Sequence, residues 1–142
     1  MLTRGASDGY DAQRLSATRI QLAATIALLG NAHTALAEAR QALPWLKATM
    51  AWPRWGDEWI PVAVCCGQHA VAMQLLGHFE GQTGPFDSTE GGRRLQRSSE
   101  AACGARQVAA WMAAGRSLDT ESALRLCEQL AGSSTVASRN AG

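Results

Sequence analysis

The residue types best suited to chemistry lie close together at Cys65, Cys66 and His69. On a helix, residues three and four positions apart share a face, so a thiolate and an imidazole would meet there. Such a pair suits a metal site or a thiol nucleophile activated by histidine. However, the sequence lacks the paired short spacings of structural zinc motifs, and the interior of a helix gives a thiol poor access. We therefore favour buried, inert cysteines and expect no metal ion and no cofactor, with a thiol or metal site as the remaining alternative.

Other patterns typical of catalysis are weak. Asp57 and Glu58 are adjacent carboxylates, but they suit the N-terminus of a helix better than the work of a general acid and base. Segment 81–85 is rich in glycine, yet it lacks the lysine of a phosphate-binding loop. We therefore predict no catalytic residues and a protein that is not an enzyme.

Arginines form a possible basic contact face. Arg93, Arg94 and Arg97, continued by Arg106, line one side of a predicted helix and could contact phosphates or an acidic protein surface. Acidic residues interrupt this face, and thirteen basic against twelve acidic residues leave a net charge of only +1. Because no global field then draws the chain towards nucleic acid or anionic lipid, we expect neither partner.

Tryptophans are concentrated in one segment. Four of the five lie within fifteen residues, at Trp45, Trp52, Trp55 and Trp59. Pro53 and Gly56 break any single helix through this segment, so the four indoles do not form one stripe. Trp45 is expected to cover the first helices and Trp59 to pack under the following helix, which assigns both to the core.

The other two tryptophans are the predicted binding residues. Burying all four would require four acceptors for indole N–H groups in a chain that offers few. We therefore expect Trp52 and Trp55, which flank Arg54, to be exposed. Tryptophan and arginine are enriched at the hot spots of protein interfaces. The predicted partner-binding residues are accordingly Trp52, Arg54 and Trp55.

Composition predicts the fold class. Ala contributes 27 residues and is the best helix former, whereas the β-branched and aromatic residues that favour strands are scarce. A chain of 142 residues suits one core. We predict a single all-α domain over residues 1–132, a bundle of five to six helices with 1–10 loosely ordered. Residues 133–142 are predicted to be a disordered polar tail.

Apolar periodicity and capping signals place the helices. We predict helices at 11–29, ended by Gly30-Asn31; at 32–42, before Pro44; through Trp52; at 58–80; from about 89, firm from 93, to 114; and at 120–131, before Gly132. Residues 60–79 contain no charged side chain, which indicates the central helix of the bundle. Its proline, glutamines and histidines are too polar for a membrane span.

A competing interpretation concerns the leucines. Leucine recurs every seven residues, at Leu15, Leu22, Leu29, Leu36 and Leu43. This is the register of a dimeric coiled coil, but the complementary positions are Thr and Ala, and Gly30-Asn31 falls inside the repeat. We favour two antiparallel helices, and expect either a monomer or a homodimer.

Together these features favour a non-catalytic protein that binds another protein. We expect a cytoplasmic protein of bacterial or phage type, acting as an inhibitor, immunity factor, adaptor or chaperone. The alternative is a small-molecule pocket between helices, lined by the tryptophans and by Met50, Met73 and Met112. The N-terminus has no apolar region typical of a signal peptide, and the cysteine spacing does not suggest a secreted disulfide framework.

Overall fold

The computed structural model describes residues 2–49, 51–83 and 90–141, with side chains over 14–49, 51–81 and 92–132. Within these residues the chain forms eight α-helices, one 3-10 turn and no strand. The helices are α1 (Leu2–Leu28), α2 (Ala32–Ala48), α3 (Trp52–Trp55), α4 (Trp59–Cys65), α5 (His69–Thr83), α6 (Glu90–Cys103), α7 (Ala105–Arg116) and α8 (Thr120–Ala141), with the 3-10 turn at Gly56–Glu58. The predicted all-α single domain is confirmed, with more helices than expected.

Two helix pairs build the core. Helix α1 packs along α2, and α5 packs along α7, while α4 lies between them and contacts α1, α2, α5 and α6. One continuous apolar cluster joins these helices and α8. Its largest fully buried apolar side chains include Trp59, Ile20, Leu46, Met73, Leu75 and Leu130.

The predicted central helix is divided in two. Segment 60–79 is largely buried, as expected, but α4 ends at Cys65 and α5 begins at His69. Gly67, with φ of +75°, adopts the left-handed conformation that ends helices. Its N–H donates to the carbonyl of Val64, and the N–H of Gln68 donates to the carbonyl of Ala63, a Schellman motif. Among the described helices, none is long and apolar enough to cross a membrane.

Gly104 divides a second predicted helix. The sequence predicts one helix from about Thr89, which lies outside the described residues, to Ala114. Instead α6 ends at Cys103, and Gly104, with φ of +94°, redirects the chain into α7. As a result Arg106 lies on α7, on a different helix from the other arginines of the predicted basic face.

Three other helix ends differ from expectation. Helix α1 begins at Leu2, and α8 continues past Gly132 to Ala141, where the sequence predicts a helix stop and a polar tail. Helix α2 continues through Pro44, which the sequence analysis places at a boundary. Pro44 is exposed, whereas Leu43 and Leu46 beside it are buried. Their burial offsets the loss of the backbone hydrogen bond that a proline inside a helix cannot form.

The leucine repeat does not form one continuous seam. The chain turns at Gly30-Asn31, as predicted, so that Leu15 and Leu22 lie on α1, Leu29 lies in the turn after it, and the last two leucines lie on α2. Leu36 and Leu43 are buried in the core. Leu15, Leu22 and Leu29 are exposed.

Glycines allow α5 and α7 to approach very closely. A Cβ atom on Gly77 would lie 2.1 Å from the carbonyl oxygen of Met112. In return, a Cβ atom on Gly115 would lie 2.0 Å from the carbonyl oxygen of Gln74. The two backbones are therefore in direct contact at this crossing, which only residues without a side chain permit.

Candidate functional site

Trp52 is a core residue and not a surface residue. Its exposed fraction is 2%, so the expectation that it is exposed is wrong. The indole N–H donates to Nε2 of His78 over 3.0 Å, and this acceptor is what the sequence analysis failed to find. Trp52 also packs against Phe79, with ring centroids 5.2 Å apart. It therefore anchors the segment that follows.

His78 connects three parts of the chain. Its Nδ1 lies 2.9 Å from the carbonyl oxygen of Leu118, in the connection between α7 and α8. An indole N–H can only donate and a carbonyl oxygen can only accept, so Nε2 of His78 accepts and Nδ1 carries the proton. His78 is thus held as one neutral tautomer, which joins α3, α5 and the connection to α8.

A glycine fixes the other side of the turn. Gly56 is buried, and a Cβ atom there would lie 2.5 Å from Cε3 of Trp52 and 2.8 Å from Cζ of Phe79. The chain between Trp52 and Gly56 is therefore held at both ends against the same aromatic group. Pro53, Arg54 and Trp55, between these two anchors, form what we call the tryptophan turn.

Arg54 and Trp55 form the outward part of this turn. The guanidinium carbon of Arg54 lies 5.1 Å from the ring centroid of Trp55, within the range of a cation–π contact. Arg54 is exposed, and Trp55 is half-buried with one side against the core cluster. Of the three predicted binding residues, the structure brings these two together at the surface.

Two carboxyl groups follow the turn directly. Burial raises the pKa of Asp57, although hydrogen bonds from backbone N–H groups oppose the rise. Burial and repulsion from Asp57 raise the pKa of Glu58 to about 7. Among the described residues, no ion pair involves either carboxyl group. The turn therefore places an exposed cation beside two half-buried acids that have no counter-ion within the described chain.

The remaining tryptophans of the segment lie against or within the core. Trp59 has no exposed surface, and Trp45 is half-buried against the core cluster. Neither indole N–H has a hydrogen-bond partner in the described part of the chain, although both are buried. A buried donor without a partner costs about 1 to 3 kcal/mol. The scarcity of acceptors noted in the sequence is therefore real, but it did not force these tryptophans to the surface.

The histidine of the cysteine and histidine cluster contacts a buried hydroxyl group. Nδ1 of His69 lies 2.8 Å from the hydroxyl oxygen of Ser99, which is fully buried and so closed to a substrate. Burial raises the pKa of Cys65, and burial together with Cys65 raises that of Cys66, which disfavours the reactive thiolates. No group of three or more potential metal ligands occurs among the residues that the structure describes.

The predicted basic face lies on α6. Arg93, Arg94 and Arg97 are all exposed, and Arg93 and Arg97 are one helical turn apart. Ser99 anchors this helix to α5 through its contact with His69. The three arginines are thus presented on a fixed helix, separate from the tryptophan turn in sequence.

Two of the three methionines assigned to a possible pocket are core residues. Met73 and Met112 are buried in the core, and Met50 lies outside the described residues. One groove in the described chain, of about 490 Å³, lies between α2 and α8 and contains no tryptophan or methionine. Its lining is Arg40, Leu43, Pro44, Lys47, Ala48 and Glu128. The Lys47 ammonium and the Glu128 carboxylate, 2.5 Å apart, pair with each other across it.

Two buried residues with structural roles are not apparent as such from the sequence. His78 and Ser99 are both buried, and each bonds to a side chain far away in sequence. For His78 there was a signal, since a histidine among apolar residues of an uncharged segment needs a buried partner. For Ser99, in a polar stretch of α6, there was none.

A resemblance to a characterised family would supply a function directly. No protein-family model matches this chain, and no curated protein or solved structure was found to be similar to it.

Proposed function

We propose that this protein binds another protein of the cytoplasm, without catalysing a reaction, through Arg54 and Trp55 of the tryptophan turn. The observation that carries the proposal is the stacking of an exposed arginine on a half-buried tryptophan at 5.1 Å. Tryptophan and arginine are the residue types that most often dominate binding energy at interfaces.

Preorganisation supports this assignment. Trp52, before the pair, is buried and hydrogen-bonded to His78, and Gly56, after it, is packed against Trp52. The backbone of Arg54 and Trp55 is therefore held before any partner arrives. A binding loop that is already ordered loses less conformational entropy on association, which favours affinity.

Charge supports the same surface. Asp57 and Glu58 lie within four residues of Arg54, and repulsion between the two carboxyl groups contributes to the raised pKa of Glu58. A cationic group of a partner would relieve this repulsion, while Arg54 can pair with a carboxylate of the partner. The surface therefore suits a protein partner that presents both signs of charge around an apolar contact for Trp55.

A capture experiment from the native host tests the proposal. The full chain serves as bait in four further forms, which are Arg54→Ala, Trp55→Ala and two matched controls, Arg97→Ala and Trp111→Ala. Arg97 is an exposed arginine and Trp111 a half-buried tryptophan, both outside the turn. We expect a protein that the parent and the controls retain and that both turn variants lose.

The magnitude of the loss is also a test. Truncation of a hot-spot residue costs about 2 kcal/mol or more, which is roughly a thirtyfold loss of affinity. Equal retention by all five baits would overturn the proposal. Loss with Arg97→Ala alone would transfer the binding surface to the basic face of α6.

A further inference from the structure

Helix α1 and the residue directly after it, Leu29, expose a stripe of leucines that the tryptophan turn does not use. The exposed fractions are 54% for Leu15, 46% for Leu22, 68% for Leu28 and 81% for Leu29. Buried residues, Ile20, Ala23, Ala24 and Ala27, occupy the opposite face of the same helix. The helix is therefore apolar on two sides, and only one of them is covered by the bundle.

The stripe has the spacing of a helix–helix seam. Leu15, Leu22 and Leu29 are seven residues apart, and the exposed Thr18 and Thr25 fill the positions between them. Alternating steps of three and four residues keep the four residues of α1 on one side of the helix, as in a coiled coil. Leu29 follows at the C-terminal end of the helix, where its N–H still donates to the carbonyl of Thr25. A second helix is therefore the partner shape that fits this face.

The area of the stripe matches a small dimer interface. The four leucines expose about 450 Å² together, and the threonines and Gln21 extend the stripe to roughly 600 Å². Two copies would then bury roughly 1,200 Å² in total, at the lower limit for a specific interface. An interface at this lower limit, with threonine at alternate positions, is expected to give weak association.

We propose that α1 is the contact between two copies of this chain, packed antiparallel with Leu22 near the two-fold axis. Leu15 of each copy then lies near Leu29 of the other, so the face is complementary to itself. This contact is independent of the proposed function, because it uses neither Arg54 nor Trp55.

Charge selects the antiparallel orientation. A parallel coiled coil would bring Arg14 of one copy beside Arg19 of the other, which is a repulsive pair. The antiparallel arrangement instead brings Arg14 to the C-terminal end of the other α1, near Leu28. Carbonyl groups at the end of a helix carry partial negative charge, so a cation is favoured there.

Sedimentation equilibrium of the full chain, from about 1 µM to about 500 µM, tests the association. We expect a concentration-dependent dimer whose association constant falls at least about tenfold in Leu22→Lys and in Leu29→Lys. Ala109→Lys, which changes an exposed residue of α7, is the control and should behave as the parent. Circular dichroism verifies that each variant is folded. If Leu22→Lys does not fold, Leu29→Lys is the test, because Leu29 is the most exposed leucine among the residues whose side chains the structure describes.

Disulfide cross-linking tests the orientation. In a Cys103→Ser background, which removes the exposed native cysteine, a mixture of Leu15→Cys and Leu29→Cys proteins should cross-link across the pair. Leu15→Cys alone should not. A parent that stays monomeric throughout the concentration range, or a dimer that both lysine variants leave intact, would overturn the proposal. Cross-linking of Leu15→Cys with itself would overturn the antiparallel arrangement.

Discussion

The close crossing of α5 and α7 makes a sharp prediction about stability. Adding a single methyl group in Gly77→Ala places its carbon 2.1 Å from the carbonyl oxygen of Met112, where ordinary contact begins at 3.4 Å. The obstructing atoms are backbone, so no side-chain rotation can relieve the overlap. The two helices must therefore separate by about 1 Å at the crossing, which also weakens the contacts of the core around it.

The expected cost follows from two opposing effects. Overpacking a tight interior costs about 1 to 3 kcal/mol, and a clash with backbone belongs at or above the upper end. Alanine recovers about 1 kcal/mol through its higher helix propensity. We expect a net loss of about 2 to 3 kcal/mol, which for a chain of this length lowers the melting temperature by about 6 to 10 °C.

Thermal and urea unfolding of three variants provide the assay. Gly115→Ala meets the carbonyl oxygen of Gln74 at 2.0 Å and should behave as Gly77→Ala does. The double variant should lose less stability than the sum of the losses in the two single variants, because one separation of the helices relieves both clashes. Gly132→Ala is the control, since nothing lies within 4 Å of a Cβ atom there and the variant should gain up to about 1 kcal/mol. A Gly77→Ala protein as stable as the control would refute the close crossing.

Three further predictions concern single residues. Trp52→Phe should destabilise the protein by at least about 1 kcal/mol more than Trp59→Phe, because it leaves Nε2 of His78 without its donor, whereas Trp59→Phe removes a donor that has no partner among the described residues. Equal losses of stability in urea unfolding would contradict the hydrogen-bond assignment. The raised pKa of Glu58, about 7 against an ordinary 4.5, means that the folded state binds the proton more tightly, so stability falls as pH rises between these values. Glu58→Gln should remove this fall and stabilise the protein by about 1 kcal/mol at pH 8, after allowance for the exposed part of the carboxyl group, with no gain below pH 4.5. Stability curves of the parent and of Glu58→Gln that run parallel against pH would exclude the raised pKa of Glu58. Gly67→Ala should cost about 1 kcal/mol in calorimetry from backbone strain alone, since its φ is +75° and no atom obstructs a Cβ there; an unchanged melting temperature would argue against the break between α4 and α5.

Local signals in the sequence predicted the helical elements better than their ends. Composition indicated an all-α fold, and the helix stop at Gly30-Asn31 lies where the pattern predicts it. The breaks at Gly67 and Gly104 were missed because a glycine inside an apolar pattern does not reveal its φ. The helix boundary predicted at Pro44 is wrong, because burial of its neighbours outweighs the local cost of a proline inside a helix.

The site depended on contacts that no local pattern reveals. Burial of Trp52 follows from an acceptor on His78, 26 residues away in sequence. Exposure of Arg54 and partial exposure of Trp55 agree with the expectation, because a turn between a proline and a glycine faces outwards. The chain does offer few acceptors for indole N–H groups, yet the fold tolerates two buried N–H groups without partners among its described residues.

Hydrogen exchange of the captured complex is the measurement that tests the binding surface most directly. If Arg54 and Trp55 are the centre of the interface, the partner should slow exchange of the backbone amides over 54–58, with little change along α6. The Trp55→Ala protein, at a concentration where it still binds, should show weaker protection at the same amides. Protection confined to α6 or to α1, with none over 54–58, would contradict the assignment of the tryptophan turn as the binding site.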